Sequence, residues 1–136
     1  MPDVLHSRTH SVSHFQISLV QAGATLREFD VGGTLVNFAD REINVTTAWD
    51  DNGTVPPDVT IEITGCTAPG LAGFPPLLPA ASAAFDVSSG GIEVGNWISG
   101  DIAKVAIPPG RYWVLVSLDT LEPYKARRLH FHFWTA

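Results

Sequence analysis

Apolar and polar side chains alternate along most of this chain. Residues 14–20, HFQISLV, set Phe15, Ile17 and Leu19 against His14, Gln16 and Ser18. REINVTTAW sets Ile43, Val45, Thr47 and Trp49 against Glu42, Asn44 and Thr46. DVTIEIT sets Val59, Ile61 and Ile63 against Asp58, Thr60, Glu62 and Thr64. Successive side chains of an extended strand point to opposite faces, so a period of two predicts strands with one buried face and one face toward water. Further runs lie at 83–89, 91–97, 102–107 and 111–119, and the last is RLHFHFW, in which Leu129, Phe131 and Phe133 form the core side.

Turn chemistry separates the runs: DVGG at 30–33, DDNG at 50–53, SSGG at 88–91, ISGD at 98–101 and PPG at 108–110. Glycine supplies positive φ and proline pre-sets the first turn position. The pattern predicts an all-β fold, an antiparallel β-sandwich of about eight or nine strands. Two segments fall outside it. CTAPGLAGFPPLLPAAS, 66–82, holds four prolines and two glycines and reads as a long loop. Its Leu71, Phe74, Leu77 and Leu78 suit a lid over the core, with a ligand rim as the other reading. LEPYKARRL, 121–129, reads as a basic loop or single helical turn.

At 136 residues, with 45% hydrophobic and 16% charged residues, the chain fits one domain spanning 1–136. Eight basic against fourteen acidic residues give a net charge of −6. That balance excludes sequence-independent binding to nucleic acid and favours a basic protein partner. Cys66 is the single cysteine, so no intrachain disulfide forms and a reducing, cytoplasmic setting is expected. The first sixteen residues carry no basic-then-apolar secretory pattern, and no apolar stretch is long enough to span a bilayer, so no membrane association is expected.

Chemistry has few candidates. His130 and His132 share one strand face with Trp134, a face the pattern leaves partly exposed. A metal needs a third ligand from elsewhere. His14 is the candidate, with His6 and His10 on the same side of an extended chain, because first and last strands often meet in sandwiches. DDNGT at 50–54 resembles part of a calcium loop, but Ile61 stands where the bidentate glutamate belongs, so it reads as a turn. Cys66 has no neighbouring charge to activate it, and there is neither a nucleophile elbow nor a phosphate-cradling glycine loop. The expectation is a protein with no catalytic residues and no cofactor. A small-molecule or metal-assisted site using His130 and His132 under the 66–82 loop stands as the alternative.

Two stretches, VSHFQISLVQAG near the start and VAIPPGRYWVLVSLD near the end, resemble the competence protein J type of small bacterial β-sandwich. GTLVNFADREINVTTAWDDNGTVPPDVTIEI between them is similar in its order of strands. The resemblance implies a non-enzymatic role, the restraint of a DNA-entry nuclease by direct binding. It transfers no functional residue. From charge and outward placement, the expected partner-binding residues are Asp50, Asp51, Asp58 and Glu62. Exposed aromatics such as Trp97 and Trp113 leave a homo-oligomer open.

Overall fold

In the computed structural model, described at residues 3–12, 16–24, 35–39, 41–48, 58–66, 77–122 and 124–135, the chain forms two stacked sheets of five strands each. The strands are β1 (Asp3–Ser11), β2 (Gln16–Gln21), β3 (Val36–Ala39), β4 (Glu42–Thr46), β5 (Asp58–Cys66), β6 (Leu78–Val87), β7 (Ile92–Asn96), β8 (Asp101–Val105), β9 (Gly110–Leu118) and β10 (Arg128–Thr135). The first sheet has the order β1-β5-β10-β9-β6 and the second β3-β4-β2-β7-β8. The all-β sandwich is as expected, and no described helix is long and apolar enough to cross a membrane.

The alternating residues do what their period requires. Ile61, Ile63, Phe131, Phe133, Val114 and Val116 of the first sheet meet Ile17, Leu19, Ile43, Val45, Ile92 and Val94 of the second in one apolar core. Phe133 holds its centre, packed edge-on to Phe85 at 6.5 Å and to Tyr112 at 5.8 Å. The IPPGRY turn is secured by Tyr112, whose hydroxyl donates to the Pro108 carbonyl at 2.7 Å. The phenol thus enters the core rim without leaving its O–H unsatisfied.

Three details differ from the sequence expectation. There are ten described strands rather than eight or nine, because the histidine-bearing start forms β1 and VNFA forms β3. The sandwich is not wholly antiparallel: β10 runs parallel to β5, with Arg128 beside Thr60 and Trp134 beside Cys66. Alternation sets a strand's faces but not its direction, so this pairing had no signature in the pattern. The 66–82 loop is shorter than expected, since Cys66 ends β5 and Leu78 begins β6. Pro79 is tolerated there because β6 is an edge strand and its register shifts between Pro79 and Ala81. Residues 67–76, with Leu71 and Phe74 of the expected lid, lie outside the described residues, whereas Leu77 is buried and Leu78 exposed. Of 121–129, the described residues up to Arg127 are loop, tied down where Arg127 N–H donates to the Asp119 carboxylate at 3.1 Å, while Arg128 and Leu129 already belong to β10.

Candidate functional site

The outward face of the first sheet follows from its register. Glu62 lies beside His130, and His130 beside Ser117. In the next row Thr64 lies beside His132, and His132 beside Leu115; then Trp134 lies beside Trp113, and Trp113 beside Ala84. His130, His132 and Trp134 form one column along β10. Their rings stack in sequence, with centroids 5.9 Å apart at 26° and 5.7 Å apart at 29°. The expected partly exposed histidine face is therefore corrected, because both imidazoles are 1% exposed.

Thr64 joins the two rings. Its Oγ1 lies 2.8 Å from His130 Nε2 and 2.6 Å from His132 Nδ1. A hydroxyl has one proton, so it donates to one ring nitrogen and accepts N–H from the other. That arrangement suits two neutral imidazoles. Burial, together with the neighbouring His132, brings the His130 pKa down to about 4, and burial lowers that of His132. Thr64→Val keeps the side-chain shape and deletes the shared hydroxyl, so a loss of about 2–3 kcal/mol in urea unfolding is expected. Thr64→Ser keeps the oxygen and should lose about 1 kcal/mol or less. Equal stability of the valine and serine variants would refute the bridging role.

Within the described residues these two rings are joined by a hydroxyl rather than by a third metal ligand. The Thr64 hydroxyl stands where their nitrogens converge. Among the described residues, no three His, Cys, Asp or Glu side chains gather as metal ligands. His14 lies outside the described residues. The first and last strands do not pair, because β5 runs between β1 and β10.

A second histidine cluster sits at the open side of the sandwich, where β1 meets β8. His6, Arg8 and His10 lie beside Ile63, Ile61 and Val59 on the core side of β1, with the Arg8 side chain reaching out at the rim, 49% exposed. His10 is fully buried and His6 partly so. Their Nε2 atoms are 2.9 Å apart, and His10 Nδ1 lies 3.2 Å from the Asp101 backbone oxygen. The Asp101 carboxylate receives Arg8 Nη2 at 2.6 Å and the Ser11 N–H at 2.7 Å. Burial lowers the pKa of both histidines, and the Arg8 charge acts in the same direction. Asp101 was not singled out by the sequence: it sits in an ordinary turn, 93 residues from Arg8, and only the fold brings them together.

A third buried polar cluster lies on the outward side of the second sheet. Ser18 donates to Asn44 Oδ1 at 2.6 Å, Gln16 Nε2 to the same oxygen at 3.1 Å, and Asn44 Nδ2 to Glu42 at 2.8 Å. These are the residues that alternation assigned to water, yet all four are at most 6% exposed. Cross-bonding of neighbouring strands by their side chains satisfies groups that burial alone would penalise.

Of the expected partner-binding residues, Asp58 is exposed at the start of β5 and Glu62 is half-buried on the same outward face. Arg128 lies beside Thr60, between them along the strand, so this part of the face is of mixed sign. Asp50 and Asp51 lie outside the described residues. Trp113 is 43% exposed, while Trp97 is half-buried.

No family model matches this chain, and no curated protein sequence does. Two solved structures share its fold along its whole length. One is ComJ from Bacillus subtilis, described as an inhibitor of the DNA degrading activity of NucA. It is 14% identical, with a TM-score of 0.66, and the match covers 100% of this chain and 99% of ComJ. The other is described as crocagin biosynthetic gene J, 10% identical at a TM-score of 0.68, covering 99% of this chain and 98% of that one. The fold of this chain is accordingly ComJ-like from end to end.

Proposed function

We propose that this chain is a non-enzymatic protein-binding module that restrains a nuclease by direct contact. The observation that supports this reading is the end-to-end likeness in fold to ComJ, whose own description is that of a nuclease inhibitor. Charge is consistent with it. A chain of net charge −6 attracts the basic surface by which a nuclease holds DNA, and complementary charge speeds encounter more than it deepens affinity. Asp58 and Glu62 on the outward face of the first sheet, together with Asp50 and Asp51, are the residues proposed to meet that partner. His10, His130 and His132 are buried, and burial lowers their pKa values, which suits packing better than contact with substrate.

The test is titration of the purified chain against a NucA-type nuclease degrading duplex DNA. Degradation should slow in proportion to the chain added and stop near equivalence. Unaltered degradation at a hundredfold excess would overturn the reading. In the same assay, Asp58→Lys combined with Glu62→Lys should reduce the association rate about tenfold at low salt and much less at 0.5 M, because salt screens steering. Equal rates for variant and parent at low salt would remove this face from the proposed interface.

A further inference from the structure

Each sheet ends in two edge strands, and three of these four are blunted. In β1 the register is broken between Val4 and His6, and Arg8 is tied to Asp101. Strand β3 is only four residues long. Strand β8 is five residues long and carries Asp101 and Lys104. Short length, irregular register and charge are the ordinary guards against edge-to-edge pairing.

Strand β6 is different. It is ten residues long, and LPAASAAF, its first eight, contains no charge. Its guards, Pro79 and the shift between Pro79 and Ala81, are confined to one end. From Ser82 to Val87 its register with β9 is unbroken. Gln21 shows which backbone groups face away from β9, because its Nε2 donates to the Asp86 carbonyl at 3.0 Å from the other side. Backbone groups alternate in direction along a strand, so the N–H and C=O of Ser82 and Ala84 point the same way as that carbonyl. Among the described residues no strand pairs with β6 on this side. A cleft of about 450 Å³ between Ala84–Asp86 and Gln21, Ala39 and Arg41 leaves room beside it.

We infer that this edge pairs with a second copy of the chain, β6 against β6, antiparallel about a two-fold axis at Ala83. In that register Ser82 of each copy faces Ala84 of the other, and the two pairs complete four N–H···O bonds. The Gln21 amide closes the ladder at Asp86 on each side. The two Asp86 carboxylates stand opposite Ala80 of the other copy and about 20 Å from each other, so no like charges meet. Electroneutrality selects the occupant. The basic partner proposed above finds no carboxylate from Leu78 to Phe85, whereas an identical uncharged strand of small residues is complementary to itself. Trp113, beside Ala84 and 43% exposed, lies in the same cross-strand row that the second copy's Ser82 would extend. This pairing is independent of the nuclease reading.

Light scattering over a concentration series tests it. The mass of the parent chain should rise with concentration from 14.6 kDa toward twice that value. Ala84→Pro removes only an N–H that faces away from β9, a position at which an edge strand tolerates proline. Ala84→Lys supplies the missing charge guard. Both variants should keep the parent circular dichroism and remain at monomer mass; should the proline variant fail to fold, the lysine variant decides. Amide exchange at Ser82 and Ala84 should slow as the parent is concentrated, while exchange at Ala83 and Phe85 stays constant. A parent that is monomeric up to ~1 mM, or variants that dimerise as it does, would overturn the inference.

Discussion

Acidification from pH 6.5 to pH 4 should remove about 3 kcal/mol of stability through His130 alone. In the unfolded chain this imidazole titrates near its ordinary value of 6.5, whereas in the folded chain it titrates at about 4. Between those two pH values the unfolded state binds a proton that the folded state refuses. Stability is therefore fully present above 6.5, falls as the pH drops through the interval, and reaches its floor below 4. His132, His6 and His10 are shifted in the same direction by burial and add to the loss. At the β1–β8 seam, protonation would set His6⁺ and His10⁺ beside Arg8 with Asp101 as the nearby counter-charge. Between pH 7 and the pI of about 5.1 general charge repulsion cannot mimic this effect, because net charge shrinks over that interval, which would by itself favour the compact state. Below the pI the charge grows again with positive sign, so the fall from pH 7 to 5.5 is the part that reports on the imidazoles. Urea midpoints at pH 7, 5.5 and 4 are the measurement, and His130→Gln should give a less stable protein with a flatter acid limb. Stability unchanged between pH 7 and pH 4 would show that these imidazoles are not held neutral.

Gly95→Ala should be as damaging, for a steric reason. Gly95 has φ of 149°, a conformation that side chains rarely adopt, and a Cβ built there would stand 2.0 Å from the Asp101 carbonyl oxygen and 2.9 Å from Ile102 Cα. Both obstacles are backbone of β8, directly across from β7, so no side-chain rotation relieves them. The strand must move, and Asp101 moves with it, loosening its carboxylate from Arg8 and the Ser11 N–H. A loss of about 3 kcal/mol or more is expected, with the melting temperature lower by on the order of 10 °C. Gly23→Ala is the comparison. Its φ is +85°, but a Cβ there meets nothing within 4 Å, so only the local conformational cost of about 1 kcal/mol remains. Similar melting temperatures for the two variants would contradict the steric account.

Much of this architecture was legible in the order of side chains. Leu129, Phe131 and Phe133 had to face inward because their neighbours could not, and the same reasoning located Ile61, Ile63, Ile17 and Leu19. The IPPGRY turn was legible because proline and glycine restrict the backbone locally. The polar half of the alternation was read less well. Asn44 and Ser18 were expected toward water and His130 and His132 on a partly exposed face, yet all four are buried, each with hydrogen-bonding partners from a neighbouring strand. Whether a polar side chain is covered depends on what lies above its sheet, which a two-residue period does not encode. The proline-rich segment misled in a related way: Pro79 barred a central strand but not an edge one.

The sequence by itself determined the strand-rich composition of the fold, the side of each strand that enters the core and the acidic balance of the surface, because these depend on local backbone geometry and on counting charges. Only the tertiary structure decided which strands are neighbours. From that came the parallel pairing of β5 with β10, the Thr64 hydroxyl between two imidazoles, Asp101 against Arg8, and a long uncharged edge at β6. Each joins residues far apart along the chain or turns on which strands lie side by side, and burial and pairing at such distances arise from packing the whole domain, not from any local rule.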